Sequence, residues 1–302
     1  MLDWTAVTFD PLRLYRDIVQ SRSVSKGAAL NGISQSAASQ SIQELEKDLD
    51  IELLDRSTRP LTVTRAGRLY FDFCRDVLHR VREFEAELQA VKGETAGTVR
   101  VAAIYSIVTE MAGLEARLAQ RCPQAHLSVD YLRPQKVYEA VLNDRADIGL
   151  VSYPIATREI SVIPWRDEEI VVGMVPSHPL ASRTSIAPAD LRGLDFVGFD
   201  EDLPIRKDMD RFLREQGVQV NVIMHFDNIQ SLKEALTLGQ GVSLLPECMM
   251  HTDIELGRLV AIPLQADLYR PLGIIHRRRK RFSPAAEEFL ALLDGTPVQA
   301  RK

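Results

Sequence analysis

The sequence predicts an α/β protein in three parts: a helical N-terminal segment, one long helix, and a larger region of alternating strands and helices. Three observations carry this. Residues 1–66 hold short amphipathic helical patterns separated by polar turns. Residues 67–92 form one helical pattern without proline, and Gly93, Thr95 and Gly97 end it. From Thr98 onward, short β-branched apolar runs at 99–104, 127–129, 148–151, 170–175, 196–199, 218–224, 242–245 and 272–275 alternate with helical patterns at 111–120, 137–142, 209–215 and 229–238. That alternation reads as α/β with a largely parallel sheet. A length of 302 residues suits two or three domains.

With 45% hydrophobic and 26% charged residues, disorder, collagen-like repeat and disulfide scaffold are excluded. The net charge of -5 argues against a protein that coats nucleic acid or membrane through bulk charge. Residues 1–92 are nearly balanced, with 13 basic and 14 acidic side chains. Yet Arg13, Arg16, Arg22 and Lys26 face only Asp17, and no acid lies among Arg56, Arg59, Arg65 and Arg68, so one basic side is possible. Cys74, Cys122 and Cys248 form no C-x-x-C pair, which suits buried, reduced thiols. The first ten residues carry Asp3 and Asp10 and no apolar core of a signal peptide, and no apolar run reaches about 18 residues. A cytoplasmic protein is expected.

In the N-terminal segment, Leu12, Leu14, Tyr15, Ile18 and Val19 mark a first helix. Ser23 or Ser25 caps a short second helix, Asn31-Gly32 turns the chain, and Ser34 caps a third helix. Ala38, Ile42, Leu45 and Leu49 form its buried stripe, while Gln35, Ser36, Ser39, Gln40 and Gln43 lie on the other side. Amides and hydroxyls on the second of two short helices suit helix-turn-helix reading of base edges. A small helical bundle with a solvated polar face fits the same periodicity. Residues 53–67 read as a β-wing, with Arg59 placed to reach a phosphate or the minor groove.

At Ser34-Gln35-Ser36-Ala37-Ala38-Ser39-Gln40, Leu45-Glu46, Leu54-Asp55-Arg56 and Thr64-Arg65-Ala66-Gly67 the sequence resembles the LysR-type transcriptional regulators. The similarity continues at Ala146-Asp147-Ile148-Gly149-Leu150, His178-Pro179-Leu180 and Gly239-Gln240-Gly241-Val242-Ser243-Leu244-Leu245-Pro246, so it covers nearly the whole chain. Asn31 stands where the family usually has Leu, Gln40-Ser41 in a stretch that is often Arg-rich, and Arg65 where Pro is common. The resemblance implies a winged helix-turn-helix at 1–66 that contacts DNA through Ser34, Gln35, Ser36, Ser39, Gln40, Gln43, Arg56, Arg59 and Thr62.

For the long helix, Tyr70, Val77, Phe84 and Val91 recur every seven residues, with Cys74, Val81 and Leu88 between them. This heptad seam predicts a dimerisation helix at 67–92, against the alternative of a helix packed on its own domain. The resemblance adds that such homodimers often pair into homotetramers.

Residues 93–302 are expected to sense an effector. Ligands of doubly wound domains bind at strand ends near helix N-termini. Here those ends are Tyr105-Ser106-Ile107, Ser152, Asp200 and Asn228. Ser106 either holds a ligand carboxylate or only caps its own helix. The resemblance implies a fold similar to a periplasmic binding protein, with subdomain I at 97–164 plus 270–302 and subdomain II at 165–269, and crossovers near 163–166 and 266–270. Its effector is expected to be a small anionic metabolite. Arg206 and Lys207 offer compensation for an anion or are solvated helix-start charges, and the basic run 277–281 reads as a solvated loop. The six histidines include no metal-spaced pair, and G-x-S-x-G, P-loop and G-x-G-x-x-G motifs are missing. Neither enzymatic activity nor a cofactor or metal is expected. The alternative is a cytoplasmic small-molecule-binding module with no DNA target.

Overall fold

The computed structural model describes residues 9–57, 61–91 and 97–294. The chain divides into two units, residues 1–95 and 96–302.

The first unit runs α1 (Asp10–Ser21), α2 (Val24–Leu30), α3 (Gln35–Asp48), β1 (Leu54–Asp55), β2 (Thr62–Val63) and α4 (Arg65–Val91). Helices α2, α3 and α4 begin where a hydroxyl can satisfy orphan amides. Ser23 Oγ accepts from the Lys26 amide at 3.3 Å and Ser34 Oγ from the Ala37 amide at 3.1 Å. Thr64 Oγ1 accepts from the Gly67 amide at 2.9 Å, starting α4. Leu14, Tyr15 and Ile18 of α1 pack with Ala28, Ala38, Ile42, Leu53, Leu54 and Cys74 in one core. Gly67 lies under β1, and a Cβ there would collide with the Leu53 carbonyl oxygen. That close approach accounts for glycine in the Thr64-Arg65-Ala66-Gly67 sequence.

The heptad seam divides. Cys74 is wholly buried in the core of its own unit, edged by Tyr70, so the first turns of α4 pack locally. Burial pushes the Cys74 thiol up to about 12. Further along, Phe84, Leu88 and Val91 are exposed, as are Leu69 and Phe73 on the first turns. The reading of a helix packed on its own domain therefore holds for the first turns around Cys74. The third-helix stripe is also shorter than expected: Ala38 and Ile42 are buried, but Leu49 is the exposed C-cap of α3.

In the second unit, β3 (Gly97–Ile104) lies between β4 (Ala125–Leu132) and β5 (Ile148–Ser152), parallel to both. β6 (Ile160–Met174) and β11 (Tyr269–Arg277) pair antiparallel, and β11 also pairs antiparallel with β5. The far half of β6 carries β9 (Ser243–Pro246) and β10 (Val260–Pro263), again antiparallel. β7 (Asp195–Phe199) and β8 (Asn221–Phe226) form a separate parallel pair. The sheet is thus mixed rather than largely parallel. The first half of β6 escaped the sequence reading because Pro164, Trp165 and the four charged residues from Arg166 to Glu169 interrupt its apolar pattern.

Helices α5 (Val108–Arg121), α6 (Pro134–Leu142) and α10 (Pro284–Asp294) belong with a core built from β3, β4, β5 and the near half of β11. Helices α7 (Pro204–Glu215) and α8 (Ile229–Thr237) belong with a second core around the far half of β6, with the short α9 (His251–Glu255) beside β10. The chain passes between cores on β6, between Ile160 and Ile170, and returns between Leu268 and Leu272. Among the described residues no helix is long and apolar enough to cross a membrane.

The basic run is partly structural. Arg277 Nη1 reaches Asp144 at 2.6 Å, and Lys280 Nζ reaches Asp147 at 2.8 Å. Arg100 Nη2 also donates to Asp147, at 2.6 Å. Burial alone would raise the Asp147 carboxyl, but the Arg100 hydrogen bonds and the charge of Lys280 outweigh it and hold the group well below the ordinary carboxylate range. A depressed folded-state pKa contributes stability above the unfolded value, and that contribution is lost as pH falls. Asp147→Asn should cost about 3 kcal/mol at neutral pH. In urea unfolding across pH, its deficit against the parent should shrink below about pH 4. A deficit constant with pH would contradict the assignment.

Candidate nucleic-acid interface and ligand cleft

The helix-turn-helix is held by polar contacts that its apolar pattern does not reveal. Gly32, at φ +67°, makes the turn between α2 and α3. Asn31 Nδ2 donates to Asp17 Oδ2 and to the Gly27 carbonyl, both at 2.9 Å. Asn31 therefore ties α2 to α1 through its amide. Leu30 is 71% exposed at the end of α2.

On α3, Gln35, Ser36, Gln40 and Gln43 are exposed and Ser39 is half-buried, while Ala38 and Ile42 are buried. Ser34 spends its hydroxyl as the helix cap. Ser25 Oγ donates to Gln35 Oε1 at 2.6 Å, and Gln40 Nε2 donates to Glu44 Oε1 at 3.0 Å. Gln35, Ser36, Ser39, Gln40 and Gln43 offer hydrogen-bonding side chains without a lysine or arginine among them, and Glu44 and Lys47 are exposed further along the helix. Glu46 anchors the wing to α3: Oε1 accepts from the Leu53 and Leu54 amides at 2.8 and 3.0 Å, and Oε2 from Arg56 Nη2 at 2.8 Å. Arg56 is thus ion-paired within the unit, on an exposed stem. Thr62 is exposed across the short ladder from Asp55. Arg59 lies outside the described residues.

In the second unit a cleft of about 510 Å³, counted out to its open mouth, lies between the ends of β3, β4 and β5 and the starts of α7 and α8. Of the expected residues, Tyr105, Ser106, Ser152 and Asn228 line it. Ile107 does not: it is wholly buried in the first core, because the 3₁₀ turn Tyr105–Ile107 directs it inward. Asp200 stands at the mouth, where its carboxylate meets His225 Nδ1 at 2.6 Å and Arg133 Nη2 at 3.5 Å. Asn228 caps α8, accepting from the Ser231 amide at 2.8 Å.

The sequence reading missed Arg133, Asp227 and Arg270, which also line the cleft. Arg133 follows the end of β4, so the strand-end rule could have found it had the apolar run been extended to Leu132. Arg270 lies on a crossing strand and carries no sequence signal. Its Nη1 donates to Ser106 Oγ at 3.2 Å and its Nε to Glu168 at 2.8 Å. Arg166 bridges Glu168, at 2.9 Å, to Glu110 of α5. Arg206 is fixed locally, with Nη1 on the Phe199 carbonyl and Nε on Asp210, both at 2.8 Å.

Residues 9–68 match the family model described as bacterial regulatory helix-turn-helix protein, lysR family, and residues 92–296 match the LysR substrate binding domain. The RuBisCO operon transcriptional regulator of Allochromatium vinosum is 28% identical over 284 residues, covering 94% of each chain. The transcriptional regulator CysL of Bacillus subtilis is 26% identical over 287 residues, covering 94% of this chain and 96% of its own. Among solved structures, a cysteine variant of full-length OxyR from Pseudomonas aeruginosa has a TM-score of 0.73 at 21% identity, covering 95% and 94% of the two chains. Full-length CbnR in complex with its target DNA has a TM-score of 0.63 at 17% identity, covering 95% and 99%.

The Asn31 clasp is testable. Asn31→Ala withdraws a donor from the buried Asp17 carboxylate and should lower the stability of the first unit by about 1–2 kcal/mol. Thermal unfolding of the full chain, followed by helix signal, reads this, and an unchanged transition would refute the clasp.

Proposed function

Since the chain belongs to the LysR family of transcriptional regulators, which bind DNA through a helix-turn-helix and an effector through the second domain, we propose specific roles for its residues. The protein is a regulator and not an enzyme. Helix α3 enters the major groove, where Gln35, Ser36, Ser39, Gln40 and Gln43 read base edges and Ser34 presents the helix start to a phosphate. Arg56, Arg59 and Thr62 of the wing contact the backbone beside it. The exposed apolar positions of α4 pair two copies, so that two α3 helices address an inverted repeat. Pairing of dimers into a tetramer and residence in the cytoplasm belong to the same reading. The domain limits are taken as 1–66, 67–92 and 93–302, and the cleft residues as Tyr105, Ser106, Ser152 and Asn228. A ligand that binds two quaternary arrangements unequally shifts promoter binding by that difference.

The observation that carries the proposal is the set of uncharged hydrogen-bonding side chains Gln35, Ser36, Ser39, Gln40 and Gln43 on a helix capped by Ser34. With no cation among those five residues, discrimination rests on base contacts. Duplexes selected from a random pool by the protein itself define its operator. Gln35→Ala combined with Ser39→Ala should weaken operator binding by about 100-fold, given about 1–3 kcal/mol per base-reading pair. Binding to unrelated duplex and the unfolding temperature should not change. Operator affinity equal to the parent's would sink the proposal.

A further inference from the structure

Resting on the reading of the cleft as the effector site, we infer that its ligand is an apolar monocarboxylate, a single carboxylate on a hydrocarbon body, and not a phosphate ester or other polyanion. The floor of the cleft is a small cluster of donors. Ser152 is 8% exposed, and its hydroxyl makes no hydrogen bond to any described residue. A hydroxyl that is open to the cleft and free of protein partners can donate to an acceptor on the ligand. Ser106 Oγ already accepts from Arg270, so its proton is left to donate. Two hydroxyls suit the two oxygens of one carboxylate.

The other helix starts at the cleft offer an anion few free amides. Helices α6 and α7 begin with Pro134 and Pro204, which carry no amide hydrogen and present ring carbons to the cleft. Asn228 occupies the Ser231 amide of α8. Nor does the floor carry net positive charge. Arg270 is 3% exposed and committed to Glu168, while Arg166 is shared between Glu168 and Glu110. These four groups sum to zero. At the mouth, the single cation Arg133 meets Asp200, Asp202 and Asp227 at 3.5, 3.9 and 3.6 Å. His225 pairs with Asp200 from β8. The mouth is therefore acidic, and a ligand with two or more negative charges is repelled on entry.

The walls set the body of the ligand. Ile104, Leu132, Phe199, Leu203, Ile205 and Ile229 line the cleft, and only an apolar surface gains from displacing water against them. The acidic mouth and pre-neutralised Arg270 narrow the sequence-level expectation of a small anion to a monoanion with a hydrocarbon body.

Calorimetric titration of the full-length protein with phenylacetate and, separately, with glycerol 3-phosphate tests this. Phenylacetate should bind, and Ser152→Ala should weaken it about tenfold, the loss of one hydrogen bond to a charged group. That variant removes an unpartnered hydroxyl, so its unfolding temperature should hold. Glycerol 3-phosphate should not bind the parent. It should bind measurably to the double variant Asp200→Asn, Asp227→Asn, whose two positions are at the mouth. Binding of glycerol 3-phosphate to the parent, abolished by Ser106→Ala, would overturn the ligand class and leave the cleft as the effector site. Phenylacetate binding that is indifferent to both Ser152→Ala and Ser106→Ala would overturn the cleft reading itself. Absence of any phenylacetate binding would overturn the ligand class.

Discussion

The second unit depends on a buried ion pair between its two crossing strands, Glu168 on β6 and Arg270 on β11. Both side chains are almost fully buried. Two charges in such a place are costly to desolvate, and the cost is offset only while each keeps the other and its remaining hydrogen bonds. Arg166 and Ser106 supply those bonds, so the pair is tied at once to the cleft floor and to Glu110 of α5. Arg166 also lies over the Trp165 ring, 4.4 Å from its centroid, and the Trp165 indole donates to the Leu293 carbonyl at the end of α10. A change at the cleft floor therefore meets a connected set of groups on the strands that join the two cores. The Cys248 thiol, pushed up to about 12 by burial, stands beside Glu168 and stays protonated at neutral pH.

The first unit solves a different problem with the same economy. A wing of two-residue strands has almost no ladder of its own, so its position has to come from side chains. Glu46 supplies it by accepting the Leu53 and Leu54 amides at the start of β1, and Thr64, which caps α4, ties that helix to the same segment by donating to the Glu52 carbonyl at 2.8 Å. Tyr15 closes the arrangement from below, its hydroxyl donating to the Gly67 carbonyl at 3.0 Å. These contacts explain why Leu45-Glu46, Leu54-Asp55-Arg56 and Thr64 to Gly67 occur together in the sequence: they are the parts of one joint.

Much of this was legible in advance because it is local. Ser34 and Asn228 cap the helices their positions suggest, and the strand-end rule led to Ser106 and Ser152. What escaped was long-range or polar. The commitment of Arg56 to Glu46 spans ten residues and that of Arg270 to Glu168 spans 102, distances over which periodicity carries no information. Ile107 was misplaced because a 3₁₀ turn changes the facing of a residue that an α-helical count would expose. Asn31 looked like a departure from the family and is instead a hydrogen-bonded clasp, visible only once Asp17 is seen beside it. The long helix mixed two signals, since Cys74 and Phe84 share a heptad seam but not an environment.

In the proposed reading α3 is a reader of sequence rather than a general anchor for DNA, because Gln35, Ser36, Gln40 and Gln43 expose amides and a hydroxyl in place of cations. The most direct measurement is sequencing of genomic fragments retained by the full-length protein at physiological salt. The account predicts a few discrete sites sharing an inverted repeat. Retention spread evenly over the genome, or none above background, would contradict it.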